Sequence, residues 1–114
     1  MTITRTLAIT LSGLLLALPT AGAELTVAAY VDITIARLEL AKTSWGEQGQ
    51  SPGQAKEDEL FERYGTTAES YYAFPAFNRR EIDAYLDENE ELKDAIESLS
   101  ESIRQLIEQA EEER

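Results

Sequence analysis

Cysteine and histidine are both missing from the 114 residues, and much catalytic and metal chemistry goes with them. Without thiols no disulfide can brace a small exported domain, and no lipid can be attached to a cysteine after the leader. Without imidazole or thiolate, zinc, copper and haem sites lose their usual ligands, so no metal or cofactor is expected. Any nucleophile or general base would have to be Ser, Lys, Tyr or a carboxylate shifted by burial, which argues against an enzyme. Positive charge is also scarce, with ten Lys and Arg against 22 Asp and Glu. Such a field repels phosphates and anionic headgroups, so neither nucleic acid nor a membrane surface is an expected partner.

Long apolar runs are absent too. The longest stretch, Leu7 to Leu18, falls short of the roughly 20 residues that span a bilayer core. Preceded by Arg5 and followed by Pro19 and Ala21-Gly22-Ala23, it reads as a cleaved signal peptide over residues 1–23. The expected mature chain, 24–114, is a periplasmic or secreted domain with no stable membrane insertion after cleavage. It keeps nine basic residues against all 22 acidic ones.

What is present points to an all-α fold: a small helical bundle or hairpin, with long N- and C-terminal helices joined by short aromatic-rich ones. Residues 25–36 are ambiguous. Leu25, Val27, Ala29, Val31, Ile33 and Ile35 alternate as in a strand. Val27, Tyr30, Val31, Ile35, Leu38, Ala41 and Trp45 equally share one helical face. The helix is preferred because no second strand is on offer. Residues 44–54 read as a glycine-rich loop, with Ser51 capping a helix from Pro52 to Tyr64 that Gly65 ends. Thr66 with Glu69 suggests another capping box. Pro75 should stop that helix, and Asn78, Glu81 and a Phe77–Ile82 staple should open the last one, a long helix over 78–112.

That last segment carries an apolar seam at heptad spacing: Ile82, Tyr85, Asn89, Leu92, Ile96, Leu99, Ile103 and Leu106. Isoleucine at a and leucine at d suit a two-stranded coiled coil and hence a homodimer, with Asn89 setting register. The flanking positions lack alternating charges, and Leu86 and Ile107 widen the stripe. Intrachain packing, antiparallel on the Val27–Trp45 face, is therefore its expected main use. Asp87 to Glu90 also offers a cap, so a kink or restart near Asn89 competes with a straight run. A calcium loop from Asp87 fails, because Leu92 and Ser98 stand where glycine and glutamate are needed.

Seven of the nine aromatic residues fall between Phe61 and Tyr85. Phe61, Tyr64 and Phe77 sit where inward faces are expected. Tyr71, Tyr72 and Phe74, together with the adjacent cations Arg79 and Arg80, are the candidate partner-binding residues. Pairing with Glu69 or Asp83 is the plainer use of the arginines. The function expected is protein–protein interaction, as an accessory subunit, adaptor or chaperone-like factor. The alternative is a small periplasmic enzyme or ligand-binding protein using Arg79, Arg80 and neighbouring tyrosines.

Overall fold

The computed structural model describes residues 25–114, so the signal-peptide reading of 1–23 lies outside the described residues. Four helices follow one another: α1 (Val27–Gln48), α2 (Gln54–Arg63), α3 (Ala68–Glu88) and α4 (Glu90–Glu112). Among the described residues there is no strand, and no helix is long and apolar enough to cross a membrane.

The ambiguous segment is helical from its cap onward. Thr26 is extended and its hydroxyl accepts from the Ala29 amide at 3.1 Å, which satisfies one of the orphan donors of the first turn. The expected loop is shorter than 44–54. α1 runs through Gly46 to Gln48 and stops at Gly49, whose φ of 69° closes the helix with its amide bonded to the Trp45 carbonyl. The glycine cluster thus contains one helical residue, one left-handed cap and one helix start rather than a continuous loop. Ser44, buried near the end of α1, donates to the Gln50 carbonyl at 2.6 Å and ties the turn down.

α2 begins two residues later than Ser51 and Pro52 suggest. Gly53 is its N-cap, no side chain caps it, and the Gly53 carbonyl receives the Lys56 and Glu57 amides. Its end matches expectation. Gly65, with φ 73°, turns the chain so that the Thr66 amide returns to the Phe61 carbonyl and the Gly65 amide to Glu62, a Schellman-type closure. Leu60 and Phe61 are buried, whereas Ala55 and Tyr64 face solvent.

α3 departs furthest from the sequence reading. Its cap is Thr67, accepting from the Ser70 amide at 3.1 Å, and not Thr66, which is buried. The helix continues across Pro75, and the boundary expected at Asn78 is present as a kink: Asn78 (φ −132°, ψ 20°) leaves helical geometry, and two helical segments meet there. Asn78 caps nothing: its amide nitrogen donates back to the Phe74 carbonyl at 2.9 Å. The Phe77–Ile82 staple is not made either, since Phe77 is 85 % exposed while Ile82 is buried. A proline inside a helix costs about 3 kcal/mol. The offset lies in aromatic packing just before it, where Tyr71 and Phe74 stack on Tyr30 of α1.

The restart expected near Asn89 is present, so residues 78–112 form two helices. Asn89 (φ −129°, ψ 71°) separates α3 from α4 and its carbonyl receives the Leu92 and Lys93 amides. Its side chain donates to the Tyr85 carbonyl at 2.8 Å. The heptad seam is therefore cut, with Ile82 and Tyr85 on α3 and Leu92 onward on α4.

α1 is the hub. α2 and the first half of α3 run antiparallel to it, as Arg37–Glu57 (3.5 Å), Thr34–Tyr71 (2.6 Å) and Tyr30–Phe74 mark in turn. α4 packs along α1 more extensively than any other pair of helices does. It lies parallel, not antiparallel: Leu99 sits near Glu39 and Lys42, Leu106 near Gly46, and Ala110 near Trp45. The reversal follows from the path, because α2 and α3 have already carried the chain back along α1. Arg114 donates to the Gly49 carbonyl at 3.3 Å, placing a cation where two helix C-termini meet. The core proper is Ile33, Leu60, Phe61 and Tyr71, flanked by Leu25, Tyr30, Ala36, Leu40 and Ala68. No residue of α4 is fully buried.

Candidate functional site

Tyr30, Thr34 and Arg37 recur at i, i+4 and i+7 on α1 and so share one face. That face meets the aromatic start of α3. Tyr30 stacks on Tyr71 with ring centroids 4.8 Å apart and on Phe74 at 5.1 Å, while Tyr72 stands edge-on to Tyr71 at 5.2 Å and to Phe61 at 6.2 Å. The polar rims are fixed as well. Thr34 donates its only proton to the Tyr30 carbonyl at 2.9 Å, so in the 2.6 Å contact the Tyr71 hydroxyl is the donor.

Arg37 closes the outer side of the stack. Its guanidinium carbon lies 5.4 Å from the Tyr71 ring centre and 5.2 Å from that of Tyr72, and it pairs with Glu57. Its Nε is buried without a hydrogen-bond partner. Burial draws the Arg37 pKa down, but the Tyr71 phenol, with Tyr72 and Glu57, more than reverses this. Burial, reinforced by the Tyr71 phenol, pushes the Tyr30 hydroxyl above its ordinary value. Both effects hold the ordinary protonation states in place, cation beside neutral phenols, and neither creates a proton donor poised near neutrality.

The candidate contact residues divide accordingly. Tyr71 is 3 % exposed and belongs to the core, which overturns its reading as an exposed contact. Phe74 is half-buried in the stack. Tyr72 keeps 55 % of its surface open. Arg79 and Arg80 are exposed beyond the kink, and among the described residues neither forms an ion pair with Glu69, Asp83 or any other carboxylate. Of the seam, Ile82 is buried, and Tyr85, Asn89, Leu92, Ile96, Leu99, Ile103 and Leu106 are half-buried.

Three participants were hidden in the sequence. Tyr30 and Arg37 lie 41 and 34 residues before Tyr71 in the aromatic cluster they complete, and only their i, i+7 spacing hinted at a shared face. Phe77 looked like a staple and is instead the most exposed large apolar side chain on the described surface. Exposed Ala73 and Ala76 lie beside it on α3, so the ring stands clear of its neighbours.

Two open clefts adjoin these elements. One, of about 460 Å³, lies between α1 and α2 along Ala36, Leu40, Leu60, Arg63 and Tyr64. The other, of about 530 Å³, lies between α1 and α4 along Lys42, Gly46, Leu99 and Leu106. Neither is lined by Arg79 or Arg80. Among the described residues no three His, Cys, Asp or Glu side chains gather as a metal site. What the region offers is aromatic surface beside unpaired guanidinium groups, suited to gripping an apolar, carboxylate-bearing surface. No model of a protein family, no curated protein and no solved structure matches the chain.

Proposed function

We propose that this chain is an exported, acidic adaptor or accessory protein, not an enzyme, that binds another protein through the outward face of α3. The observation that carries the reading is Phe77. A phenyl ring 85 % exposed, with exposed Arg80 three residues on and no carboxylate paired to it, offers two residue types enriched at interfaces. Tyr72, anchored from below by Tyr71 and Phe61 and covered by Arg37, supplies a second rigid aromatic contact. The partner this chemistry fits presents an apolar pocket rimmed by Asp or Glu. The signal-like leader supports export.

The alternative, an enzyme or ligand-binder built on the arginines and tyrosines, requires those groups to converge on an enclosed cavity. Arg79, Arg80 and Tyr72 lie instead on open helix surface, and Tyr71 is buried in the core. A photo-crosslinking residue at position 77, in cells that express the protein, tests the reading. A discrete cross-linked protein is expected from position 77, lost when Arg79→Glu and Arg80→Glu are added, and absent from the exposed α4 position Ser98. Equal capture at 77 and 98 would refute it.

A further inference from the structure

From the pocket between the C-terminal ends of α1 and α4 we infer a binding site for an organic cation, a guanidinium group on an aliphatic stem. The parallel course of the two helices brings both ends to one side of the molecule. Trp45 there lies about 22 Å along α1 from Tyr30, which stacks on Phe74, so the site is independent of the Phe77 surface. The pocket holds about 300 Å³, at the lower end of the range for small-molecule sites. Its walls include Trp45, Leu106, Glu47, Glu113, Gln48 and Gln109, and no basic side chain of the described residues lines it.

Electrostatics sets the sign of the ligand. Two helix C-termini each present the negative end of a macrodipole, and the Glu47 and Glu113 carboxylates add to it. Of the carbonyls in the last turn of α1, residues 45–48, only that of Trp45 receives a backbone amide, from Gly49. The others are left to accept from an incoming donor. A hard metal ion would want six or more oxygens around it, whereas here an indole, Leu106 and Ala110 make up much of the wall. That mixture suits a cation carried on methylenes: the indole attracts the charged head, and the apolar wall covers the stem.

The chain itself supplies an example of the ligand. The Arg114 guanidinium donates to the Gly49 carbonyl at 3.3 Å, and Gly49 belongs to the pocket wall. Among the described residues Arg114 forms no ion pair, so a backbone carbonyl at the negative end of α1 holds it at the pocket's edge. Glu47 and Glu113 are likewise unpaired among the described residues, which leaves two carboxylates beside the indole for a second guanidinium. The planar fork of that group matches carboxylate and carbonyl acceptors better than an ammonium does. Arg114 is then an internal competitor at the rim.

Trp45 is the only tryptophan, so its fluorescence reads the pocket directly. Titration of the purified protein with acetyl-Gly-Arg-Gly amide at fixed ionic strength tests the site, with circular dichroism as the folding control. A saturable change with Kd of about 1 mM or tighter is expected, and none with the citrulline peptide, which has the same shape without the charge. Glu47→Gln together with Glu113→Gln should weaken binding about tenfold. The same loss of charge at the far end of α4, Glu90→Gln with Glu91→Gln, should leave it unchanged, and Arg114→Ala should tighten it about threefold. Ethylguanidinium separates the sources: weaker binding than the arginine peptide assigns the cation to a protein side chain, and tighter binding to a free small molecule. No saturable change, equal binding of the citrulline peptide, equal effects of the two glutamine pairs, or weaker binding in Arg114→Ala overturns the site.

Discussion

Ile33 is the most enclosed large side chain in the described structure, with 0 % exposure, held between α1, α2 and α3 by Leu60, Phe61 and Tyr71. Ile33→Val deletes one carbon and Ile33→Ala three. At about 0.8 kcal/mol per methylene the lost transfer energy is about 0.8 and 2.4 kcal/mol. The cavity left in a site walled by two aromatic rings raises these to about 1 and 3–4 kcal/mol. A domain of this size has about 5–13 kcal/mol in all, so the alanine variant forfeits a large share and its Tm falls by at least about 12 °C. Urea unfolding followed by circular dichroism and by Trp45 fluorescence checks both size and reach. Trp45 is about 18 Å further along α1, beside the last turns of α4. Coincident transitions mean that loss at Ile33 loosens α4 as well. A shift under about 1 kcal/mol for Ile33→Ala would refute the core assignment. A Trp45 transition that stays put while helicity falls early would refute α1 as the common spine.

The Thr34–Tyr71 contact predicts an asymmetry. Tyr71→Phe removes a donor and leaves Thr34 still bonded to the Tyr30 carbonyl, costing about 1 kcal/mol, whereas Thr34→Val strands a buried phenol and should cost about 2 kcal/mol; urea titration that reverses this order would show the donor assignment to be wrong. The glycines of α1 predict opposite signs. Gly49→Ala meets nothing within 4 Å but must hold φ near 69°, a loss of about 1 kcal/mol. Gly46→Ala lies in mid-helix with its new methyl 3.9 Å from Leu106, a gain of about 0.5–1 kcal/mol. Thermal melts of the two variants should move apart.

Local signals were legible wherever a residue acts on its own backbone. Gly65 ended α2, a break fell at Asn89, and the seam residues from Leu92 onward faced a helix of the same chain, each from a short-range rule. Signals failed where distant residues decided. Pro75 read as a stop, yet the stacking of Tyr71 and Phe74 on Tyr30 accompanies a helix that runs through it, and the chain bends three residues later, at Asn78. Ser51-Pro52 matched a helix start that Gly53 took instead, two residues later. The candidate site was half visible for the same reason. Tyr72, Arg79 and Arg80 stood out by type, while Arg37 and Tyr30 belong to the site only because α3 is folded back along α1. Tyr71 passed for a surface residue because nothing nearby in sequence reveals that Thr34 accepts its proton.

The two long helices show why periodicity misled at one end of the chain and not at the other. Residues two apart on a helix point about 200° apart, so a helix covered on opposite sides places apolar residues at i and i+2. α1 does this with Val31 and Ile33, both buried, and its first three turns consequently alternate like a strand. Its resemblance to β structure is the imprint of being surrounded. α4 is covered on one side only, which leaves its apolar positions in a single stripe at heptad spacing and its other faces charged. The clarity of that seam and its incomplete burial have one cause, a helix packed chiefly against one neighbour, α1.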